Sequence, residues 1–186
     1  KEHSNIMDAI AHGASDGMRV SINVVAMLIG VIALIALIDA VLGYLGHFLA
    51  WTGVSLNSIG IDVNHLRLKD IFGALFSLIA VVMGVPSSES LQVGSLMGTK
   101  MVINEFVAYS DLSPLIQQGA LSAKSVVIAS FALCGFANFS SVAIQIGGIG
   151  ALAPDRKADL ARLGIKAMLC GTMASYISAS LAGILM

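Results

Sequence analysis

The chain has 186 residues, 57% of them hydrophobic and only 11% charged, with a net charge of −1 and a mean hydropathy of +0.90. Soluble domains carry roughly 25% charged residues, so this composition excludes an ordinary soluble enzyme and predicts an all-α polytopic protein embedded in a lipid bilayer. Near-neutral charge supplies no basic stripe, and no nucleic-acid partner is expected.

In chain order, residues 1–19 read as an amphipathic interfacial helix. Ile6, Met7, Ile10 and Ala14 fall at helical spacing, with Asp8, His12 and Asp16 among them. There is no initiator Met and no charged-then-apolar leader, so Lys1 reads as an artificial boundary or as the start of a fragment of a longer chain. Residues 20–46 form a transmembrane scaffold helix, long enough to cross the ~30 Å hydrocarbon core with some tilt. Asp39 is the one charge inside it. An intramembrane carboxylate suggests either a transport role or a scaffold contact near the helix end. Residues 47–70 are a loop of mixed polarity (Asn57, Ser58, Asp62, Asn64, Arg67, Lys69), with Trp51 suited to the headgroup belt.

Residues 71–112 form a re-entrant hairpin region. Gly84-Val85-Pro86 breaks a short apolar piece, and Ser87-Ser88-Glu89 offers an N-cap and a negative first turn to the next. Gly94, Gly98 and the cluster Lys100, Asn104, Glu105 interrupt the following apolar stretch. Short, Gly/Pro-interrupted pieces point to a re-entrant hairpin with a binding site at its tip. The pattern leaves the tip near Pro86 or near Lys100–Glu105. Glu105 could pair with Lys100, although Lys100 and Asn104, four residues apart, are better placed as helical neighbours.

Residues 113–152 contain a loop and then a broken transmembrane helix. Its flanks are apolar, but its centre, Cys134-Gly135-Phe136-Ala137-Asn138-Phe139-Ser140-Ser141, is polar, with Gln145 one turn on. Backbone groups in hydrocarbon must be satisfied internally, so a polar, glycine-containing centre suits a helix that unwinds against protein or a water-filled cavity. Asn138 and Ser141 either project into a solute site or hold neighbouring helices together. Residues 153–186 are a cytoplasmic loop, placed by Arg156, Lys157, Arg162 and Lys166, and a final transmembrane helix rich in Gly, Ala and Ser. No internal repeat is visible, and Gly147-Gly148-Ile149-Gly150 lacks the preceding strand of a dinucleotide loop. Cys134 and Cys170 read as small buried hydrophobes. The four histidines (His3, His12, His47, His65) show no ligand spacing and read as solvated, so no metal site is expected. No nucleophile–base pair is visible, and no enzymatic activity is expected.

Two stretches resemble one known family. The Cys134–Ser141 run, continued by Ile144-Gln145-Ile146-Gly147-Gly148 and Ala153-Pro154, is similar to the late broken helix of the concentrative nucleoside transporters, of the bacterial NupC-like type. Gly98-Thr99-Lys100-Met101-Val102-Ile103-Asn104-Glu105-Phe106-Val107-Ala108-Tyr109 is similar to a second motif of that family, in the family's order. The resemblance implies the C-terminal half of a cation-coupled nucleoside symporter, driven by sodium or protons, in the bacterial inner membrane. It implies one half of an inverted-repeat fold, a homotrimer built through the scaffold, and a missing N-terminal half as partner. It also places Glu105, Phe136, Asn138 and Ser141 on the ribose side of the substrate. Asn104, Lys100, Ser140, Gln145 and Asp39 are supporting candidates. The family's base-side Gly-Gln-Thr-Glu motif and its sodium ligands belong to the first half, so no sodium ligand and no other cofactor is assigned here.

The residue chemistry agrees with a polyhydroxylated solute. A carboxylate offers two acceptor oxygens to adjacent 2′ and 3′ hydroxyls, an amide or hydroxyl both donates and accepts, and a phenyl ring offers an apolar face. A membrane nucleoside receptor or a structural module that transports nothing is the alternative from another class.

Overall fold

The computed structural model describes residues 5–54, 56 and 61–186. Lys1, His3, Asn57 and Ser58 lie outside them. Every named element is helical: α1 (Ile6–Trp51), a 3-10 turn (Val63–His65), α2 (Leu68–Val82), α3 (Ser90–Val102), α4 (Glu105–Gln117), α5 (Ala123–Leu133), α6 (Phe139–Leu152), a second 3-10 turn (Pro154–Arg156) and α7 (Lys157–Ile184).

The sequence reading divides the chain at Arg19, but α1 runs through that point as one helix of 46 residues. Asn5 starts it by accepting the Asp8 N–H at 2.8 Å. No proline interrupts α1, and Gly13 and Gly17 each cost only about 1 kcal/mol against Ala, too little to end a helix. At ~1.5 Å per residue α1 is about 69 Å long, more than twice the hydrocarbon core. Its most apolar 18-residue window buries nothing inside the chain. The stretch Pro154–Ile184 is the second one long and apolar enough to span. The helices between are short. The longest, α2, has 15 residues and reaches only about 22 Å.

The short helices fold back on one another. α2 and α3 are antiparallel, joined through Met83–Glu89, and meet through glycines. A Cβ on Gly94 would lie 2.5 Å from the Gly73 carbonyl oxygen, and one on Gly98 2.5 Å from that of Lys69. The sequence reading takes these glycines as interruptions; in the fold they let two backbones approach. The chain reverses again at Ile103–Asn104, so that Leu91 and Leu96 of α3 share a groove with Asp111 and Leu115 of α4. α5 then runs back beside α3, with Ser122 next to Glu89 and Ala132 next to Lys100. Both sequence candidates for a hairpin tip are therefore reversals of the chain.

The core lies among α2, α3, α5 and α7, where Met97, Ile128, Leu133 and Ala179 are fully buried. The small-residue face of α7 receives these neighbours: Gly183 sits against Ile128 and Gly171 against Ala137. α6 lies on α1, where a Cβ on Gly147 would meet Met27 Cγ at 3.0 Å. Cys134 and Cys170 are exposed, not buried. In α7 the helical period turns Met168 and Thr172 inward, which leaves Cys170, between them in sequence, on the other face. Beside the α5–α6 break, Leu133 and Ala137 take the interior positions instead of Cys134.

Candidate functional site

Two helices start side by side, each on an asparagine. Asn104 has extended backbone (φ −171°) and caps α4, its side chain accepting from the Val107 N–H at 2.9 Å. Asn138 has extended backbone (φ −151°) and caps α6 in the same way. Its Oδ1 accepts from the Ser141 N–H at 2.7 Å. Ser141 Oγ reciprocates, accepting from the Asn138 N–H at 3.0 Å and donating to the Asn138 carbonyl at 2.7 Å. Asparagine is among the best N-cap residues because its short side chain satisfies an otherwise orphaned N–H. The Asn-x-x-Ser spacing thus closes a reciprocal cap in a water-poor setting.

The two starts are tied to each other. Asn138 Nδ2 donates to Glu105 Oε2 at 3.0 Å, and Ser140 Oγ donates to the Ile103 carbonyl at 3.3 Å. Asn138 is fully buried and Ser140 and Ser141 nearly so, while Glu105 is half-buried. Glu105 is the first residue of α4, where the helix dipole favours a negative charge. One of its oxygens is held by Asn138. No hydrogen bond to the other, Oε1, is found among the described residues.

The remaining candidates fall around this pair. Lys100 is fully buried and donates from Nζ to the Ala132 carbonyl at 3.0 Å. Its ammonium lies 5.7 Å from the centre of the Tyr176 ring. No ion pair joins it to Glu105 among the described residues, and the break at Ile103 takes Asn104 off the helix that carries Lys100. Phe136 is half exposed and, with Ser141 and Gln145, lines a cavity of about 460 Å³ against Met168 and Gly171 of α7. Asp39 accepts the Leu68 N–H at 2.8 Å, a cap on α2 supplied from α1. It also shares a cavity of about 420 Å³ with Asn104 and Ser140.

Glu89 is the N-cap residue of α3, so its charge stands at that helix start as the sequence reading has it, but its side chain makes no capping bond there. Its Oε2 instead accepts from the Ser122 N–H and hydroxyl, both at 3.0 Å, at the start of α5. In this connection, outside the spanning helices, the Ser125 hydroxyl, then the Ser122 N–H and hydroxyl, hold its carboxyl below the ordinary value of 4.5.

Three participants escape the sequence reading. The Ile103 and Ala132 carbonyls are backbone groups with no residue signature. Tyr176, whose buried hydroxyl has no hydrogen-bond partner among the described residues, is legible only as the one aromatic side chain in the small-residue helix α7. No group of His, Cys, Asp and Glu suited to a metal occurs among the described residues. Two helix N-termini, a carboxylate with an unengaged oxygen and a buried amide form a cluster able to hydrogen-bond a polar group without bond chemistry.

Known proteins resemble the chain over almost all of its length. Residues 1–183 match the family model described as Na+ dependent nucleoside transporter C-terminus. An uncharacterized transporter, YutK, of Bacillus subtilis is 48% identical over 97% of this chain and 41% of its own length. The nucleoside permease NupC of Helicobacter pylori is 40% identical over 99% of this chain and 42% of its own length. Sodium/nucleoside cotransporter 2 of Rattus norvegicus is 34% identical over 99% of this chain and 28% of its own length. The chain thus spans less than half the length of each of these relatives. Among solved structures, a variant of CNTnw in an outward-facing state superposes with a TM-score of 0.86 at 43% identity, covering 100% of this chain and 44% of that one. CNTnw in an inward-facing substrate-bound state gives 0.67 at 44% identity, covering 98% and 42%.

Proposed function

The chain belongs to the Na+-dependent nucleoside transporter family, matching its C-terminal part, and from that premise we propose that it supplies the ribose-binding half of a sodium-coupled nucleoside symporter. The observation that carries the reading is the Glu105–Asn138 pair. Asn138 fixes one oxygen of the carboxylate, and Oε1 is left to accept the adjacent ribose hydroxyls in charge-assisted hydrogen bonds. Asn138, fully buried, serves the same sugar by fixing that carboxylate. Phe136 gives an apolar face to the sugar or base. Ser141 acts chiefly by holding Asn138, since its hydroxyl already gives and takes a hydrogen bond there.

The remaining length of the full protein provides the base-side contacts and the ion site. The family description and the rat relative's name support sodium over protons. Bacterial relatives support placement in an inner membrane. The exposed length of α1 supports its role as a scaffold that meets other copies in a homotrimer and against which the short helices move. The tighter superposition on the outward-facing relative supports reading this arrangement as outward-facing. The α3–α4 reversal is then the tip of a re-entrant hairpin, near the bilayer midplane.

Uptake of labelled uridine by the full-length protein in vesicles tests the reading, with a sodium gradient, a proton gradient or neither. Uptake is expected to follow sodium. Uptake following protons would replace the ion, and none under either gradient would turn the reading to a membrane receptor or structural module. Glu105→Gln keeps the shape and removes the charge. It is expected to weaken uridine binding by about 1.5–3 kcal/mol, the range for hydrogen bonds to charged groups. Binding of 2′,3′-dideoxyuridine should change little, and an equal loss for both nucleosides would refute the ribose assignment.

A further inference from the structure

The α5–α6 break leaves two helix ends facing it, and only one is explained by the proposed solute site. The start of α6 is capped by Asn138 and tied to Glu105. The end of α5 leaves its last carbonyls without intrahelical partners and carries the negative end of a helix dipole, equivalent to roughly half an elementary charge. In membrane transporters that break a helix in this way, such carbonyls coordinate a dissolved alkali cation. Here the Ala132 carbonyl receives Nζ of Lys100 at 3.0 Å.

The lysine is built into that position. It is fully buried, the largest such side chain in the fold. The Tyr176 ring lies under its ammonium, 5.7 Å from centre to nitrogen, a cation–π arrangement that offsets lost hydration. Gly135, within the break, has no side chain, and a Cβ there would lie 3.7 Å from Nζ and collide with Ser175. Among the described residues no carboxylate is ion-paired with Lys100. Its partners are therefore those of a bound cation, a carbonyl oxygen and a π face, rather than those of a salt bridge.

We propose that Lys100 is a tethered counter-cation for the α5–α6 break, a positioning residue whose ammonium stands where a dissolved cation would otherwise bind. It fixes the end of α5 and through it the placement of Asn138 against Glu105. α3 thus holds both sides of the break, through Lys100 before it and, by way of the α3–α4 tip, through Glu105 after it. The role in solute binding rests on the function proposed above; the cation role does not. One consequence is that this half of the protein needs no free ion to order its broken helix, so the coupling ion acts elsewhere.

The test uses the full-length protein, purified without nucleoside, as wild type, Lys100→Ala and Lys100→Met. Thermal melting is followed in sodium, ammonium and choline at equal ionic strength. Lys100→Ala vacates a cation-sized space beside the Ala132 carbonyl, and its Tm is expected to rise with ammonium or sodium over choline by several degrees more than that of wild type. Lys100→Met fills the space with an apolar stem and is expected to show no such gain. Uridine binding to Lys100→Ala should be about tenfold weaker in choline and partly restored by ammonium, whereas a merely structural lysine would give a loss that no cation reverses. Equal cation responses in all three proteins would overturn the proposal, as would wild-type uridine affinity in Lys100→Met. Failure of both variants to fold even in ammonium would also overturn it, assigning Lys100 to global stability. If wild type binds no uridine while Lys100→Ala gains the cation response, the function proposed above fails and the counter-cation stands.

Discussion

α1 and the α3–α4 tip both lie in membrane-compatible sequence and end in opposite environments. α1 presents Ile22, Ile29, Leu37 and Val41 outward, and its one buried residue is Gly46, pressed against the Val63 carbonyl. The tip region buries Lys100, Asn138, Ser140 and Ser141. In water this would be an inverted protein. In a bilayer the apolar helix needs no cover, because lipid is as apolar as a protein core, and the polar groups go inside, where other polar groups meet them. Burial in such a chain follows hydrogen-bonding need as well as hydrophobicity.

Glycine substitutions give the largest contrast between the two regions. Gly94→Ala puts a methyl group 2.5 Å from the Gly73 carbonyl and the Ser77 nitrogen, backbone atoms that cannot turn aside. Forcing α2 and α3 apart is expected to cost about 1–3 kcal/mol or more, read as a lower Tm of the full-length protein and loss of uridine uptake. Gly43→Ala in α1 meets nothing within 4 Å and should be neutral or stabilising by up to about 1 kcal/mol through helix propensity. A Gly43→Ala loss as large as that of Gly94→Ala would mean that this face of α1 is packed in the assembled protein, and the comparison of bare scaffold with close-packed hairpin would break.

The two asparagine caps sharpen the comparison within the tip itself. Asn104→Ala and Asn138→Ala each remove an N-cap, worth about 0.5–2 kcal/mol, so similar falls in Tm are expected. Only Asn138 also orients Glu105. Uridine affinity should therefore fall about tenfold further in Asn138→Ala than in Asn104→Ala, as one hydrogen bond to a charged group implies. Equal affinities, measured by isothermal titration on the two full-length variants, would reduce Asn138 to a helix cap.

Much of this was legible in the residues. Composition predicts helices in lipid, Gly84-Val85-Pro86 marks the first chain reversal, and the polar Asn104-Glu105 pair marks the second. The polar centre at Cys134–Ser141 marks the break, and two motifs identify the family. What stayed hidden shares a physical cause: it depends on which backbone group a side chain reaches. Asp39 looks like a buried charge and caps a helix 29 residues on. Asn138 and Ser141 look like solute ligands or helix glue, and their first engagement is with each other and with Glu105. Spacing cannot reveal these partners, because carbonyls and N–H groups occur at every residue and only the fold selects among them. The length of α1 was misread for a different reason. Polar residues at its start mark a change of surroundings, which does not require a change of structure.

Glu89 gives the smallest expected effect and tests the same principle at the edge of the short-helix bundle, where water competes. Its carboxylate is held below the ordinary value of 4.5 by the Ser125 hydroxyl, then the Ser122 N–H and hydroxyl. A carboxyl with a depressed folded value stabilises the fold fully above its unfolded value, and the contribution disappears as pH falls through the folded one. Wild type should thus melt slightly above Glu89→Gln at pH 7, by no more than about 3 °C, since exposed charge contacts are weak. The two curves should converge as pH is lowered through 4.5 and below. A gap that stays constant across that range would mean that shape, not charge, ties the α2–α3 connection to α5.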